Sequence, residues 1–231
     1  MVIPGEWIRR AINREIEIED KRIVSADIAR FGDDEIVIDF LQGNKLVEQD
    51  ISNKQSLMET VGRIINKRKK FKASILVVDD AALGGGVTDR LVEMEEKVMP
   101  INGGEVAVNE EQFVNLKSEI WWYARELFEK GICCIMNDPI LIRQLGAVKY
   151  HYRSNGKTIV EPKDEIKSRL GRSPDRADAY VLGLWAGKFI RDAAKDFHRD
   201  TLDSTRTREL NPYGWRYREE QLLGAIYGRR G

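Results

Sequence analysis

The chain has 231 residues, of which 42% are hydrophobic and 33% charged, so it can form one large globular domain, with or without a tail. Its 38 basic residues balance 38 acidic residues, which excludes a uniformly basic surface and means that any nucleic-acid footprint must be local. No run approaches the roughly 18 apolar residues of a membrane span, and the N-terminus lacks the apolar core of a signal peptide. Adjacent Cys133 and Cys134 cannot form a disulfide framework or a CxxC metal site. We therefore expect a reduced, intracellular protein.

The first predicted element is an amphipathic N-terminal helix or linker over residues 1–20. Three closely spaced strands and a helix follow it. The strands are predicted at 21–27, 35–41 and 44–50, and the helix at 54–69. The turn Gly43-Asn44 predicts that the second and third strands form a hairpin.

Helices and strands then alternate along the chain. We predict a buried strand at 74–79, a helix at 87–97, a strand at 98–101, a helix at 113–130, a strand at 131–136 and a helix at 138–146. Residues 147–160 alternate around Ser154-Asn155-Gly156 and predict a second hairpin. A basic loop then leads to Ser173-Pro174, which opens a helix that is predicted to run to about residue 190.

This order of elements predicts an α/β fold with a central mixed β-sheet. Three antiparallel N-terminal strands are joined by parallel strands, helices flank the sheet, and the hairpin is an addition. The domain is expected to span residues 21–190, followed by a charged tail at 191–231.

Carboxylates stand at the ends of three separate predicted elements. Asp27 ends the first strand, and Asp79 with Asp80 ends the buried strand at 74–79. Asp175 and Asp178 lie in the first turn of the last long helix, where their spacing puts both on one face. If the first and fourth strands are neighbours, these acids converge at one end of the sheet. Each Asp alone is also consistent with a turn or a helix N-terminus, so the combination is what points to function.

Several carboxylates at one point need cations, since they cannot all stay ionised unaided. Oxygen ligands suit Mg²⁺ or Mn²⁺. Two such ions about 4 Å apart can stabilise the attacking and leaving oxygens of a phosphodiester and lower the pKa of the attacking water. The acids therefore favour a two-metal phosphodiesterase.

Four segments resemble the nuclease domain of tailed-phage large terminases, which has an RNase H-like fold related to Holliday-junction resolvases. They are SADIARFGDDEIVID (25–39), ILVVDDAALGGGVTDRL (75–91), NLKSEIWW (115–122) and GK…VEPKDEIKSRLGRSPDRADAYVLG (156–183). The resemblance covers roughly residues 20–190. It implies that Asp27, Asp79 and Asp178 are catalytic metal ligands, with Asp175 as a further ligand. Asp33 matches an additional acid near the metals in some members.

Asp79 and Asp80 are alternatives, because successive strand residues point to opposite faces. The resemblance favours Asp79. The sequence Gly156-Lys157-Thr158 is not a P-loop, since His151 replaces the required first glycine. The ATPase domain that accompanies the nuclease in large terminases is therefore not expected here.

Basic residues cluster before and across the acidic helix, as a DNA backbone beside such a site requires. The predicted DNA-binding residues are Lys149, Arg153, Lys157, Lys163, Lys167, Arg169, Arg172 and Arg176. The resemblance also suggests that the hairpin at 147–160 is mobile.

The resemblance implies an endonuclease that uses two Mg²⁺ or Mn²⁺ ions to cut concatemeric viral DNA in the host cytoplasm and at the procapsid. Its partners would be double-stranded DNA, the terminase ATPase domain, the small terminase and the portal protein. A resolvase-like nuclease, an RNA–DNA hybrid nuclease, and a weakly catalytic module that docks on DNA or the portal are the alternatives.

Overall fold

The computed structural model of the protein describes residues 1–28, 34–81 and 84–200. Within these residues, seven strands form a five-stranded sheet and a separate two-stranded hairpin. The strands are β1 (Arg22–Asp27), β2 (Ile36–Gln42), β3 (Lys45–Ser52), β4 (Ile75–Asp79), β5 (Val98–Ile101), β6 (Tyr150–Tyr152) and β7 (Thr158–Val160). The helices within the described ranges are α1 (Gly5–Ala11), α2 (Leu57–Phe71), α3 (Gly84–Glu93), α4 (Leu116–Glu129), α5 (Pro139–Ala147), α6 (Lys163–Leu170) and α7 (Asp175–Asp200).

The five-stranded sheet is mixed, and its strands lie in the order β3-β2-β1-β4-β5. β1, β2 and β3 pair antiparallel, whereas β4 is parallel to both β1 and β5. The prediction of an α/β fold with three antiparallel N-terminal strands, additional parallel strands and a separate hairpin is confirmed. The first and fourth strands are neighbours, which brings their C-terminal ends to the same edge of the sheet.

Apolar side chains on both faces of the sheet divide the core into two layers. Val24, Ile38 and Leu76 face the side covered by α2 and α3, while Ile23 and Val77 face the side covered by α4 and α7. Burial of the central strands on both faces explains their nearly continuous apolar sequences.

Gly183 lets helix α7 pack directly against the sheet. A Cβ atom at this position would lie 2.7 Å from both Ser25 Oγ and Leu41 Cδ1, so a larger residue would force the helix away from β1 and β2. The Ser25 hydroxyl donates to the backbone oxygen of Ala179 at 2.8 Å, which further fixes the helix on β1. The N-terminal turn of α7 is thereby held at the edge where β1 and β4 end.

Three local predictions are wrong. The N-terminal helix ends at Ala11, because Ile12 has extended backbone angles and pairs with Ile135. Residues 131–136 form no strand, since they make only isolated bridges through Cys134 and Ile135. The predicted basic loop contains helix α6, which Gly171 terminates in the left-handed conformation.

Helix α7 continues to Asp200, about ten residues beyond its predicted end, and residues 201–231 of the predicted tail lie outside the described part of the chain. Within the described residues, no helix is both long and apolar enough to cross a bilayer.

Candidate active site

Two carboxylates lie side by side at one edge of the sheet. Asp27 is the last residue of β1 and Asp79 the last of β4, and the parallel register that pairs Ala26 with Val78 brings them level. Asp79 Oδ1 accepts a hydrogen bond from the backbone N–H of Ala81 at 3.0 Å. Asp80 lies beyond the end of β4 and donates its own backbone N–H to Ile101 at 2.8 Å.

The first turn of α7 adds the two remaining predicted acids. Asp175 is buried, and its Oδ2 accepts a hydrogen bond from the backbone N–H of Glu35 at 3.0 Å. Asp178 Oδ1 accepts one from the indole N–H of Trp121 at 3.1 Å. Each carboxylate is therefore oriented by a donor from another segment of the chain, one just before β2 and the other in α4.

An ammonium group lies among these carboxylates. Lys163 Nζ is 3.0 Å from Asp27 Oδ2, 3.0 Å from Asp175 Oδ1 and 3.6 Å from Asp178 Oδ2. Lys163 is the first residue of α6, so the short helix that the sequence did not predict is the element that delivers this cation. We call Asp27, Asp79, Asp175, Asp178 and Lys163 the acid cluster.

Burial dominates the electrostatics of the acid cluster. It raises the pKa of Asp27 to about 7, with further upward contributions from Asp79 and Asp178 that Lys163 partly offsets. Burial and the nearby Asp27 raise the pKa of Asp175 to about 7, and burial raises that of Asp79. For Lys163, burial opposes protonation, but the three carboxylates raise its pKa above the usual value. The cluster therefore holds more negative charge than one lysine neutralises.

The donor set of the acid cluster fits a hard divalent cation. Its ligands would all be carboxylate oxygens, which suit Mg²⁺ and Mn²⁺. Asp175 Oδ1 is buried and accepts no well-directed hydrogen bond, although Lys163 Nζ lies nearby. Among the described residues, no three acids, histidines or cysteines are spaced as a ready metal cage. The carboxylates instead surround the Lys163 ammonium.

Besides Lys163, four of the predicted DNA-binding residues are engaged in ion pairs on α6, α7 or the turn between them. The pairs are Lys167 with Asp34, Arg169 with Glu161, Arg172 with Glu35, and Arg176 with Glu35 and Asp138. Arg176 has only 11% of its side chain exposed. Because its guanidinium nitrogens are used for these two carboxylates, we remove Arg176 from the DNA-binding prediction.

The hairpin carries Lys149, Arg153 and Lys157 at or near the surface. Its base is fixed to the chain before α4, because Thr158 donates to the Gln112 carbonyl at 2.7 Å and accepts from Val114 at 3.1 Å. The rings of Tyr150 and Trp122 also pack edge to face at 5.0 Å. These contacts hold the root of the hairpin in place, while the turn at its tip is exposed.

Sequence reasoning missed two participants in this site. Lys163 was predicted as a DNA contact on a loop, and Trp121 was given no role at the site. The signals available for α6 were Pro162 at its start and Gly171 at its end. No signal in the sequence places the Trp121 indole against Asp178. Predicted Asp33 lies outside the described residues.

Comparison with solved structures identifies similar folds, although no family model and no curated protein matches the sequence. The nuclease domain of the large terminase subunit gp2 of bacterial virus Sf6 superimposes with a TM-score of 0.71 at 15% identity, covering 79% of this chain and 97% of that one. The large terminase nuclease of thermophilic phage G20c gives a TM-score of 0.60 at 16% identity, over 79% of this chain and 96% of that one.

Metal-bound forms of both proteins are among the similar structures. The G20c nuclease with bound magnesium matches at a TM-score of 0.56 and 18% identity, covering 78% of this chain and 95% of that one. A lysine-to-alanine variant of the Sf6 domain with manganese also matches. The similarity establishes that this chain has the RNase H-like fold of phage large terminase nuclease domains.

Proposed function

We propose that the protein is a metal-dependent endonuclease that hydrolyses phosphodiester bonds in double-stranded DNA. The observation that carries this proposal is the convergence of Asp27, Asp79 and Asp178, from three separate segments, at one edge of the sheet. A fold alone hosts many functions. The acid cluster adds the chemistry that a phosphodiesterase needs, because its carboxylates can hold divalent metal ions.

Asp27, Asp79 and Asp178, with Asp175, would hold two Mg²⁺ or Mn²⁺ ions. When bound, such ions polarise the phosphate, lower the pKa of an attacking water and stabilise the leaving oxygen. The protein's own contribution is to orient the ligands: Trp121 holds one oxygen of Asp178, and the Glu35 backbone holds one oxygen of Asp175.

Lys163 has a distinct part in this proposal. In the absence of metal its ammonium lies 3.0–3.6 Å from oxygens of three mutually repelling carboxylates and offsets part of their charge. Divalent ions would take over that neutralisation and release the lysine from its central position. Its side chain is 36% exposed, so it has a route toward solvent and toward an incoming phosphate.

The hairpin and α6 form the proposed DNA-binding rim. Lys149, Arg153 and Lys157 on the hairpin can contact phosphates, and Lys167, Arg169 and Arg172 can do so if DNA competes with their present partners. Backbone contacts of this kind carry no sequence information. We therefore expect low sequence specificity.

The biological role that we propose is the cutting of concatemeric viral DNA during genome packaging, in the host cytoplasm and at the procapsid. Support comes from the similar structures, which are nuclease domains of large terminase subunits. The proposed partners are a terminase ATPase domain, the small terminase and the portal protein.

Cleavage of supercoiled plasmid with and without divalent metal tests the enzymatic proposal. We expect cutting with Mg²⁺, at least equal cutting with Mn²⁺, little with Ca²⁺ and none in EDTA. Asp27→Asn, Asp79→Asn and Asp178→Asn should each abolish cleavage while the protein stays folded, whereas the matched Asp80→Asn should retain most activity. Undiminished cutting in EDTA would exclude the metal mechanism.

Parallel digestion of linear duplex, four-way junction and RNA–DNA hybrid substrates tests the substrate assignment. The proposal predicts that linear duplex is cut at least as well as the other two. A strong preference for the junction or for the hybrid would instead identify a resolvase-like or hybrid nuclease.

A further inference from the structure

A second buried acid lies beneath the first turn of α7, apart from the acid cluster. Asp39 is on β2, has no exposed surface, and stands directly opposite Gln49 on β3 in the strand register. The Gln49 side-chain N–H₂ group donates to Asp39 Oδ1 at 2.8 Å and to the backbone oxygen of Arg176 at 3.4 Å. Gln49 thus connects the sheet to the helix that carries Asp175 and Asp178.

Two polar atoms of this pair are buried without a hydrogen-bond partner, namely Asp39 Oδ2 and Gln49 Oε1. Both are acceptors when Asp39 is ionised. Exchanging the oxygen and nitrogen of the Gln49 side-chain amide would not supply the missing hydrogen bonds. Oε1 would then face Asp39 Oδ1 and the Arg176 carbonyl, which are acceptors too. One proton on Asp39 Oδ2 would let it donate to Gln49 Oε1 and would satisfy both atoms.

The charges around Asp39 give an ionised form little support. Within the described part of the chain, no lysine, arginine or histidine nitrogen forms a salt bridge with it at 4.0 Å or less. The charged groups that act on it are Asp27 from β1, Arg176 from α7 and Asp138 before α5. The Tyr180 hydroxyl of α7 also interacts with Asp39. Arg176 directs its guanidinium to Glu35 and Asp138. Burial raises the pKa of Asp39 well above its ordinary value.

We infer that Asp39 is protonated in the folded protein, forms a two-bond acid–amide pair with Gln49, and through it positions the first turn of α7. The positioning role rests on the proposed function, because it matters only if Asp175 and Asp178 bind metal. The protonation of Asp39 does not depend on that function. Asp39 is therefore a positioning residue and not a further metal ligand.

The protonation state can be observed directly from the carboxyl ¹³C NMR signal of Asp39, assigned with Asp39→Asn and followed from pH 4 to pH 9. We expect the signal of a protonated carboxyl at pH 7. The signal of an ionised carboxylate at pH 7 would overturn the inference, whatever the variants do.

Stability of Asp39→Asn provides a second measurement. An asparagine reproduces the pair, since its N–H₂ group can donate to Gln49 Oε1 and its oxygen can accept from Nε2. A native pKa above the unfolded value makes wild-type stability fall with rising pH between the two values. The ratio of the folding equilibrium constant of Asp39→Asn to that of wild type should therefore rise about tenfold per pH unit in that interval. Asp20→Asn, at an exposed loop position, is the matched control, and its stability relative to wild type should not change with pH. A less stable Asp39→Asn at pH 7 would count against the pair.

The positioning role is tested by Mn²⁺ affinity, measured by calorimetry on the full chain. We expect Asp39→Asn to keep wild-type affinity, and Gln49→Met, which removes the link to the Arg176 carbonyl, to lose at least about threefold. Unchanged affinity in Gln49→Met, or loss of binding in Asp39→Asn, would refute positioning. Failure of wild type to bind Mn²⁺ would refute positioning together with the proposed function, while the NMR signal would still decide the protonation.

Discussion

Replacing Lys163 with alanine removes the only cation within salt-bridge distance of Asp27, Asp175 and Asp178 among the described residues. Exposed ion pairs contribute about 0–1 kcal/mol, whereas breaking a fully buried pair costs about 3–5 kcal/mol. The Lys163 side chain is 36% exposed, which lies between these limits. We expect Lys163→Ala to lower the free energy of unfolding of the metal-free protein by about 2 kcal/mol at pH 8.

The loss should depend on pH and on metal. At pH 5, Asp27 and Asp175, whose pKa values are about 7, are mostly protonated and need no cation, so the variant should lose less stability. Saturating Mn²⁺ should restore the variant at pH 8, since a ligand at a hundred times its Kd stabilises a protein by about 2.7 kcal/mol. The variant should also bind Mn²⁺ more tightly than wild type, because the metal no longer competes with an ammonium group.

Urea unfolding at pH 5 and pH 8, with and without Mn²⁺, measures all three effects. Lys149→Ala, on the exposed hairpin, is the matched control and should leave stability unchanged. If Lys163→Ala is as stable as wild type at pH 8 without metal and gains no more from Mn²⁺, the electrostatic account of the acid cluster is refuted.

Three further predictions concern the same site. Trp121→Phe keeps an aromatic ring but removes the donor to Asp178, so plasmid cleavage should fall about tenfold, or about 1.4 kcal/mol, with a cooperative unfolding transition retained. Because the pKa values of Asp27 and Asp175 are raised from 3.8 to about 7, the free energy of unfolding of the metal-free protein should fall as pH rises through that interval. Over the same interval, Mn²⁺ affinity measured by calorimetry should rise until about pH 7 and then level off, because metal binding requires ionised carboxylates. Alanine at three hairpin cations should reduce the log–log salt slope of duplex binding by up to about 0.9 per lost phosphate contact. These cations are Lys149, Arg153 and Lys157. A pH-independent Mn²⁺ affinity, an unchanged salt slope, or full activity of Trp121→Phe would contradict the respective prediction.

The elements that carry the acids, and the position of each acid at the end of its element, could be predicted because they depend on local sequence. The apolar run at 75–78 predicts a central strand, and the acid that follows it must lie at the strand's end. Ser173-Pro174 predicts a helix start, which puts Asp175 and Asp178 in the first turn. Element type and strand-end position were therefore enough to place each acid at the end of its element. Their convergence also required β1 and β4 to be neighbours, which the structure shows.

The rest of the site depends on contacts between distant segments. Lys163 meets Asp27 across 136 positions of the chain, and the Trp121 indole meets Asp178 across 57. Helix α6 has one buried residue, Ile166, so it lacks the apolar periodicity by which a helix is recognised. Its charges were consistent with a solvent-facing loop, and only the packed fold shows that one of them faces inward.

The central claim is that the acid cluster binds two divalent metal ions, and anomalous diffraction from crystals soaked in Mn²⁺ tests it most directly. The account predicts two peaks about 4 Å apart, in contact with Asp27, Asp79 and Asp178, and a displaced Lys163 ammonium. Loss of both peaks in Asp27→Asn crystals would support the assignment. Manganese peaks elsewhere on the protein, with Lys163 still bound to Asp27 and Asp175, would contradict it.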